Sequence, residues 1–287
     1  MSGIEEMRRN WEGFAESDPF WAILTDAKKK YRAWTVDEFF LTGVSEMEIV
    51  FRYVHSLGLS LDTKGRALDF GCGVGRLTQA MSEYIDNCIG VDISPTMIEM
   101  ANELNRVPLR CSYLVNESQT LPQFPSGCFS FIYSSLVLQH IEEEYAVRYL
   151  KELIRVLQGG GILIFQIADR LVTGNRWRLV SELAGMLKNL RGKVRLRTRI
   201  RRLLVFSGIV KPGKEDSHSA MLREFTIKMH CVPESTIRDV VQSSGARVFD
   251  VQWTNSTDSD FDGRLRYLEE ETKTGHISKQ YCVVKAK

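Results

Sequence analysis

The stretch Ala67-Leu68-Asp69-Phe70-Gly71-Cys72-Gly73-Val74-Gly75-Arg76-Leu77-Thr78 constrains this chain more than any other. An apolar run feeds an acidic residue, glycines follow at every second position, and a helical pattern begins at Leu77. It therefore reads as strand, tight loop and helix N-terminus. Glycines allow φ > 0 and let a ligand lie against the backbone, while the free N–H groups of the helix face the same crevice. A dinucleotide-binding loop wants its third glycine three residues after the second. Here that position is Arg76. Asp69, just ahead of the glycines, repels a pyrophosphate and attracts an ammonium group. A second apolar run, Cys88-Ile89-Gly90-Val91, ends in Asp92, placed as the acid at the end of a second strand that takes ribose hydroxyls.

Ribose plus ammonium, with no phosphate, points to S-adenosylmethionine. Asp69-x-Gly71-x-Gly73-x-Gly75, Gly90-Val91-Asp92-Ile93-Ser94-Pro95-x-Met97 and Tyr133-Ser134-Ser135-Leu136-Val137-Leu138-Gln139-His140-Ile141 resemble the ordered motifs of the class I S-adenosylmethionine-dependent methyltransferases. The resemblance covers roughly residues 65 to 170. It implies a Rossmann-like α/β fold: a seven-stranded, mostly parallel sheet with an antiparallel last strand, flanked by helices. It also implies S-adenosylmethionine as cofactor, S-adenosylhomocysteine as product, and an in-line displacement that needs no metal. Cofactor contacts are implied at Asp69, Gly71, Cys72, Gly73, Gly75 and Arg76, at Asp92, Ile93 and Met97, and at Ser134, Ser135 and Leu136. After the third strand, Cys111 to Val115, come Asn116 and Glu117. The family's acidic contact to the adenine amino group aligns best with Glu117, and Asn116 stays open as the alternative, as does plain loop polarity.

Around that core the chain divides into four spans: an N-terminal helical arm (1–58), the cofactor-binding core (59–169), an insertion (170–224) and the C-terminal part of the sheet (225–287). The first 43 residues carry Trp11, Phe14, Phe20, Trp21, Ile23, Leu24, Tyr31, Trp34, Phe39 and Phe40, far too much apolar surface for a solvated tail. This arm either covers a sheet face or closes the active-site mouth. Because related methyltransferases close the cofactor pocket with N-terminal helices, Trp34, Phe39 and Thr42 are expected against the cofactor. Met47, Val50, Val54 and Leu57 then recur at helical spacing and predict a helix over 44–57.

The remaining core alternates as βαβ units. Strands are predicted at 67–70, 88–91, 111–115, 129–134 and 162–168, with helices at 77–84, 95–104 and 142–157. Ser94 is the expected N-cap of the second of these, with Pro95 at its first position. The segment Ser135 to Ile141 after the fourth strand carries His140, whose unperturbed pKa suits a general base. It is expected either to take a proton from an acceptor hydroxyl or to shape the loop. A helix from Glu234 to Val241 and strands at 246–253 and 281–285 complete the pattern.

The overall charge of +2 is nearly balanced, yet Lys188 to Lys214 holds ten basic residues and no acidic one, interleaved with Leu187, Leu190, Val194, Leu196, Ile200 and Leu203. Three readings stay open for residues 187–214: a peripheral contact with anionic lipid or a phosphate-bearing acceptor, a nucleic-acid footprint, or a solvated basic face. No two prolines are adjacent and no cysteine follows a proline, so the motifs of exocyclic-amine and carbon-5 nucleic-acid methyltransferases are missing. The expected acceptor is a small molecule or glycan, lipid-linked or not, methylated on oxygen; methylation of a small amine on nitrogen and a non-catalytic S-adenosylmethionine-binding role stay open as alternatives. The six cysteines show no metal-ligand spacing, and a polar N-terminus without a signal peptide predicts a cytoplasmic protein, peripheral to the inner membrane surface if the basic segment binds lipid.

Overall fold

The computed structural model describes residues 3–26, 28–172, 228–258 and 261–287. The N-terminal arm forms helices α1 (Gly3–Ser17), α2 (Pro19–Ile23) and α3 (Val36–Ser56). The helix predicted over 44–57 begins eight residues earlier than expected. The cause is a capping box: the Thr35 hydroxyl accepts from the Glu38 backbone N–H while the Glu38 side chain reaches back to the Thr35 N–H. Both groups satisfy orphan donors at the helix start.

The core continues with β1 (Arg66–Phe70), α4 (Arg76–Met81), β2 (Asn87–Asp92), α5 (Pro95–Glu103), β3 (Cys111–Val115) and β4 (Phe129–Ser134). A 3₁₀ turn (Leu138–His140), α6 (Glu143–Val156) and β5 (Leu157–Val172) follow. Ser94 caps α5 by accepting from the Met97 N–H, with Pro95 at the first helical position. After the undescribed residues come α7 (Glu234–Ser243), β6 (Ala246–Thr254), β7 (Tyr267–Leu268) and β8 (Gly275–Lys285).

The strands form one sheet in the order β3-β2-β1-β4-β5-β8-β6-β7. The first five are parallel, and β8 runs antiparallel between β5 and β6. Eight strands rather than seven arise because β7 adds a two-residue pairing to β6, Trp253 to Leu268 and Thr254 to Tyr267. Both β5 and β8 outrun their predicted spans, pairing with each other from Ile162 and Val284 to Val172 and Gly275.

Alternate residues of the central strands feed separate cores. Leu68, Leu163 and Phe165 join α6 and α7 on one face, whereas Ala67, Ile162 and Ile164 join α3 and α4 on the other. The chain runs outward from β1 to β2 and β3 on one side and to β4 and β5 on the other. That reversal leaves a crevice beyond the carboxyl ends of β1 and β4, where open α/β sheets bind ligands.

Candidate active site

The glycine loop forms the floor of this crevice. Gly71 has φ +80°, and a Cβ there would lie 2.2 Å from Val137 Cγ2, so both the backbone conformation and the close approach of the post-β4 loop require glycine. The loop is locked to its neighbours: Gly71 N–H and Cys72 N–H donate to the Val91 carbonyl at 2.8 and 3.0 Å. Asp92 Oδ2 accepts from the Gly73 N–H at 2.9 Å and its Oδ1 from the Ser94 N–H at 3.0 Å. These bonds orient the carboxylate, while burial pushes its pKa up.

A cleft enclosing about 720 Å³, part of it open to solvent, rises from this floor. Gly71, Gly73, Asp92, Ile93, Met97, Asn116, Ser135 and Leu136 line it, all of them expected from the sequence. Leu136 adopts φ +61°, a conformation that costs a non-glycine residue about 1 kcal/mol or more and that clusters at ligand sites. The roof is α1 and α2, through Met7, Trp11 and Ile23. The sequence reading missed these three, although Ile4, Met7, Trp11 and Phe14 follow one another at helical spacing and form an apolar stripe.

Other expected residues lie elsewhere. Trp34 and Phe39 do not reach the cleft; they pack with Leu24, Phe40 and Val74 in the small core of the arm. Thr42 also stands off, donating to the Phe39 carbonyl and accepting from Arg76. Aromatic content showed that the arm packs, and the structure places α1 rather than 33–43 over the cleft. Glu117 is half exposed and ion-paired with Arg8 of α1, leaving Asn116 as the residue at the wall. Cys72 is buried with its thiol pushed up by desolvation, and Ser134 donates to the Phe70 carbonyl at 3.0 Å. Gly75 caps α4, and Arg76 turns into the core. Asp69 lies under the loop, where Oδ2 accepts from the Thr78 hydroxyl at 2.6 Å and Oδ1 is buried with no partner. Burial pushes its carboxyl up to about 7, against the lowering effects of Thr78 and Arg76.

The arrangement of strand, loop and helix agrees with known proteins. A family model described as a methyltransferase domain matches residues 68–165. The fold is similar to that of magnesium protoporphyrin IX methyltransferase from Synechocystis PCC 6803 with bound SAH, at a TM-score of 0.57 and 14% identity over 98% of each chain. Residues 68–165 carry a methyltransferase domain. Among curated relatives, 2-methyl-6-phytyl-1,4-hydroquinone methyltransferase of Synechocystis is 33% identical over 115 residues, covering 38% of this chain and 35% of that enzyme. Ajmaline N-methyltransferase of Rauvolfia serpentina is 27% identical over 34% of each chain. Chloroplastic tocopherol O-methyltransferase of Arabidopsis thaliana is 29% identical over 34% of this chain and 29% of its own. The chain spans about a third of the length of these curated relatives.

Beside the cleft of the methyltransferase domain lies a second hollow of about 520 Å³, sharing Met7, Trp11 and Ile141 as a common wall. Phe14, Tyr145, His140, Lys228 and His230 also line it, together with polar Glu6, Asn10 and Glu142. His140 packs edge-on to Trp11, with ring centroids 5.7 Å apart. Its Nδ1 lies 2.8 Å from the Lys228 carbonyl, which fixes Nδ1 as the donor and leaves Nε2 as the acceptor, 3.3 Å from Gln139 Nε2. Burial drives the imidazole down to about 4, so it is neutral at pH 7. Among the described residues no group of three or more His, Cys, Asp or Glu is arranged to hold a metal ion, and no helix is long and apolar enough to cross a membrane.

Proposed function

We propose that the chain binds S-adenosylmethionine in the glycine-loop cleft and transfers its methyl group to a hydroxyl oxygen of a small-molecule or glycan acceptor. The observation that carries the cofactor assignment is the Asp92 carboxylate, held at the floor of the cleft by the Gly73 and Ser94 N–H groups. A carboxylate so oriented suits two ribose hydroxyls. When bound, S-adenosylmethionine supplies an electrophilic methyl carbon. The protein's tasks are to align the acceptor, exclude water and receive a proton.

Met7, Trp11 and Ile23 exclude water from above the cleft. Asn116 at the wall takes the adenine end, with Glu117 engaged by Arg8. The neighbouring hollow, with Trp11, Phe14 and Tyr145 beside polar Glu6, Asn10 and Lys228, receives the acceptor. His140 Nε2 accepts the hydroxyl proton by exchanging its long contact with Gln139 for the acceptor. The relatives include an ajmaline N-methyltransferase and a tocopherol O-methyltransferase, which supports a small-molecule acceptor.

Radiolabelled methyl transfer to a panel of hydroxylated sugars, phenols and quinols tests this reading. His140→Ala is expected to lose about 100-fold or more in kcat with S-adenosylhomocysteine affinity unchanged. Full activity in that variant would leave His140 as a residue that only shapes the turn. The basic stretch 187–214 lies outside the described residues. We propose that it brings a cytoplasmic protein to anionic lipid, which co-sedimentation with phosphatidylglycerol vesicles against phosphatidylcholine vesicles checks.

A further inference from the structure

Arg76 leaves the glycine loop and enters the protein, where it is 2% exposed. Its guanidinium donates to Glu46 Oε2 of α3 at 2.9 Å and to Thr42 Oγ1 at 3.2 Å. Glu46, equally buried, accepts a second bond at Oε1 from the Tyr133 hydroxyl of β4 at 2.8 Å. The Tyr133 oxygen in turn accepts from Gln166 Nε2 of β5 at 3.4 Å, and Gln166 Oε1 accepts from the Ser135 hydroxyl at 3.4 Å. Ser135 lines the cleft. One buried chain of hydrogen bonds thus runs from the exit of the glycine loop, through α3 and two strands, to Ser135 at the cleft wall.

A buried ion pair is a poor source of stability, because desolvating both charges offsets most of their attraction. Its consequence here is geometric. α3 presses against the loop so closely that a Cβ on Gly43 would lie 2.6 Å from the Arg76 carbonyl oxygen. Glu46 is the point where the two halves of the chain of bonds meet: the loop side through Arg76 and the wall side through Tyr133. We propose that Glu46 is a positioning residue for cofactor binding, holding the glycine loop and the Ser135 wall in one fixed arrangement. The proposal rests on the cofactor assignment above.

The test separates stability from affinity. Glu46→Leu alone strands the Arg76 charge in the core, and is expected to lower both the melting temperature and S-adenosylhomocysteine affinity. In Glu46→Leu/Arg76→Met both charges are gone and apolar groups fill the space. The melting temperature is expected to return to within about 3 °C of the parent, while the Kd for S-adenosylhomocysteine, read by isothermal titration, stays raised by about ten-fold or more. A double variant that recovers both would show that the pair only fills the core, and would overturn the proposal. If the double variant melts far below the parent, Tyr133→Phe decides, since it removes one hydroxyl and neither charge. Binding weakened about three-fold or more at an unchanged melting temperature supports the proposal, and parent-like binding overturns it. A parent chain that bound no S-adenosylhomocysteine would overturn the cofactor assignment and this inference together, an outcome distinct from the others.

Discussion

Gly71→Ala perturbs the floor of the cleft in a way whose size follows from the local geometry. The residue sits at φ +80°, and the new methyl would begin 2.2 Å from Val137 Cγ2 and 2.7 Å from its Cγ1. Left-handed backbone costs an alanine about 1–2 kcal/mol, and overpacking a tight contact adds about 1–3 kcal/mol. The sum is about 2–5 kcal/mol, and each 1 kcal/mol lowers the melting temperature of a domain of roughly this size by about 2–4 °C. Val137 and Gly71 both line the cleft, so a displaced valine intrudes on the ligand, and S-adenosylhomocysteine affinity should fall by about ten-fold or more. Val137→Ala removes both clashing carbons. The double variant should therefore lose about 1–3 kcal/mol less than the sum of the singles, keeping only the backbone strain. Thermal unfolding of the four proteins, with isothermal titration of each, measures the cycle. Additive losses, or a Gly71→Ala protein that melts and binds as the parent does, would refute the close approach.

Asp69 and His140 give the chain opposing pH dependences. Asp69 holds its proton to about 7 when folded but to about 3.9 when unfolded, so it lowers stability as pH rises from 4 to 7. The His140 imidazole, depressed to about 4 from 6.5, lowers stability as pH falls from 6.5 to 4. Chemical denaturation of Asp69→Asn should show a stability advantage over the parent that grows between pH 4 and 7, with a slope no steeper than about 1.4 kcal/mol per pH unit; a constant difference would contradict a buried, proton-holding Asp69. Trp11→Ala removes part of the roof and should speed S-adenosylhomocysteine release about ten-fold or more in stopped-flow, whereas Arg8→Ala, which breaks an exposed ion pair with Glu117, should change stability by about 1 kcal/mol or less.

Local chemistry made much of this molecule legible. β3 and β4 fall on their predicted residues, because each is a short apolar run bounded by turn residues that leave little choice of boundary. The Ser94-Pro95 start of α5 was equally clear, since cap and proline act within one turn. What escaped depends on tertiary contacts. The stripe Ile4, Met7, Trp11 and Phe14 announces a packed helix, but no local feature says that it packs over the cleft while Trp34 and Phe39 do not. Arg76 was visible as the residue that excludes a dinucleotide loop, yet its partner Glu46 lies on a helix thirty positions upstream. Asn116 and Glu117 differ by one place at a strand end, where successive side chains point apart; the Asn116 N–H bond to the Asp92 carbonyl and the pull of Arg8 on Glu117 settle their directions.

The most direct measurement is isothermal titration of the purified chain with S-adenosylhomocysteine beside Asp92→Ala. Micromolar binding by the parent, weakened about 100-fold or more by the substitution, is the predicted result, because Asp92 is the carboxylate that the Gly73 and Ser94 N–H groups hold toward the cleft. A parent chain that fails to bind, or a variant that binds as well as the parent, would contradict the cofactor assignment on which the account stands.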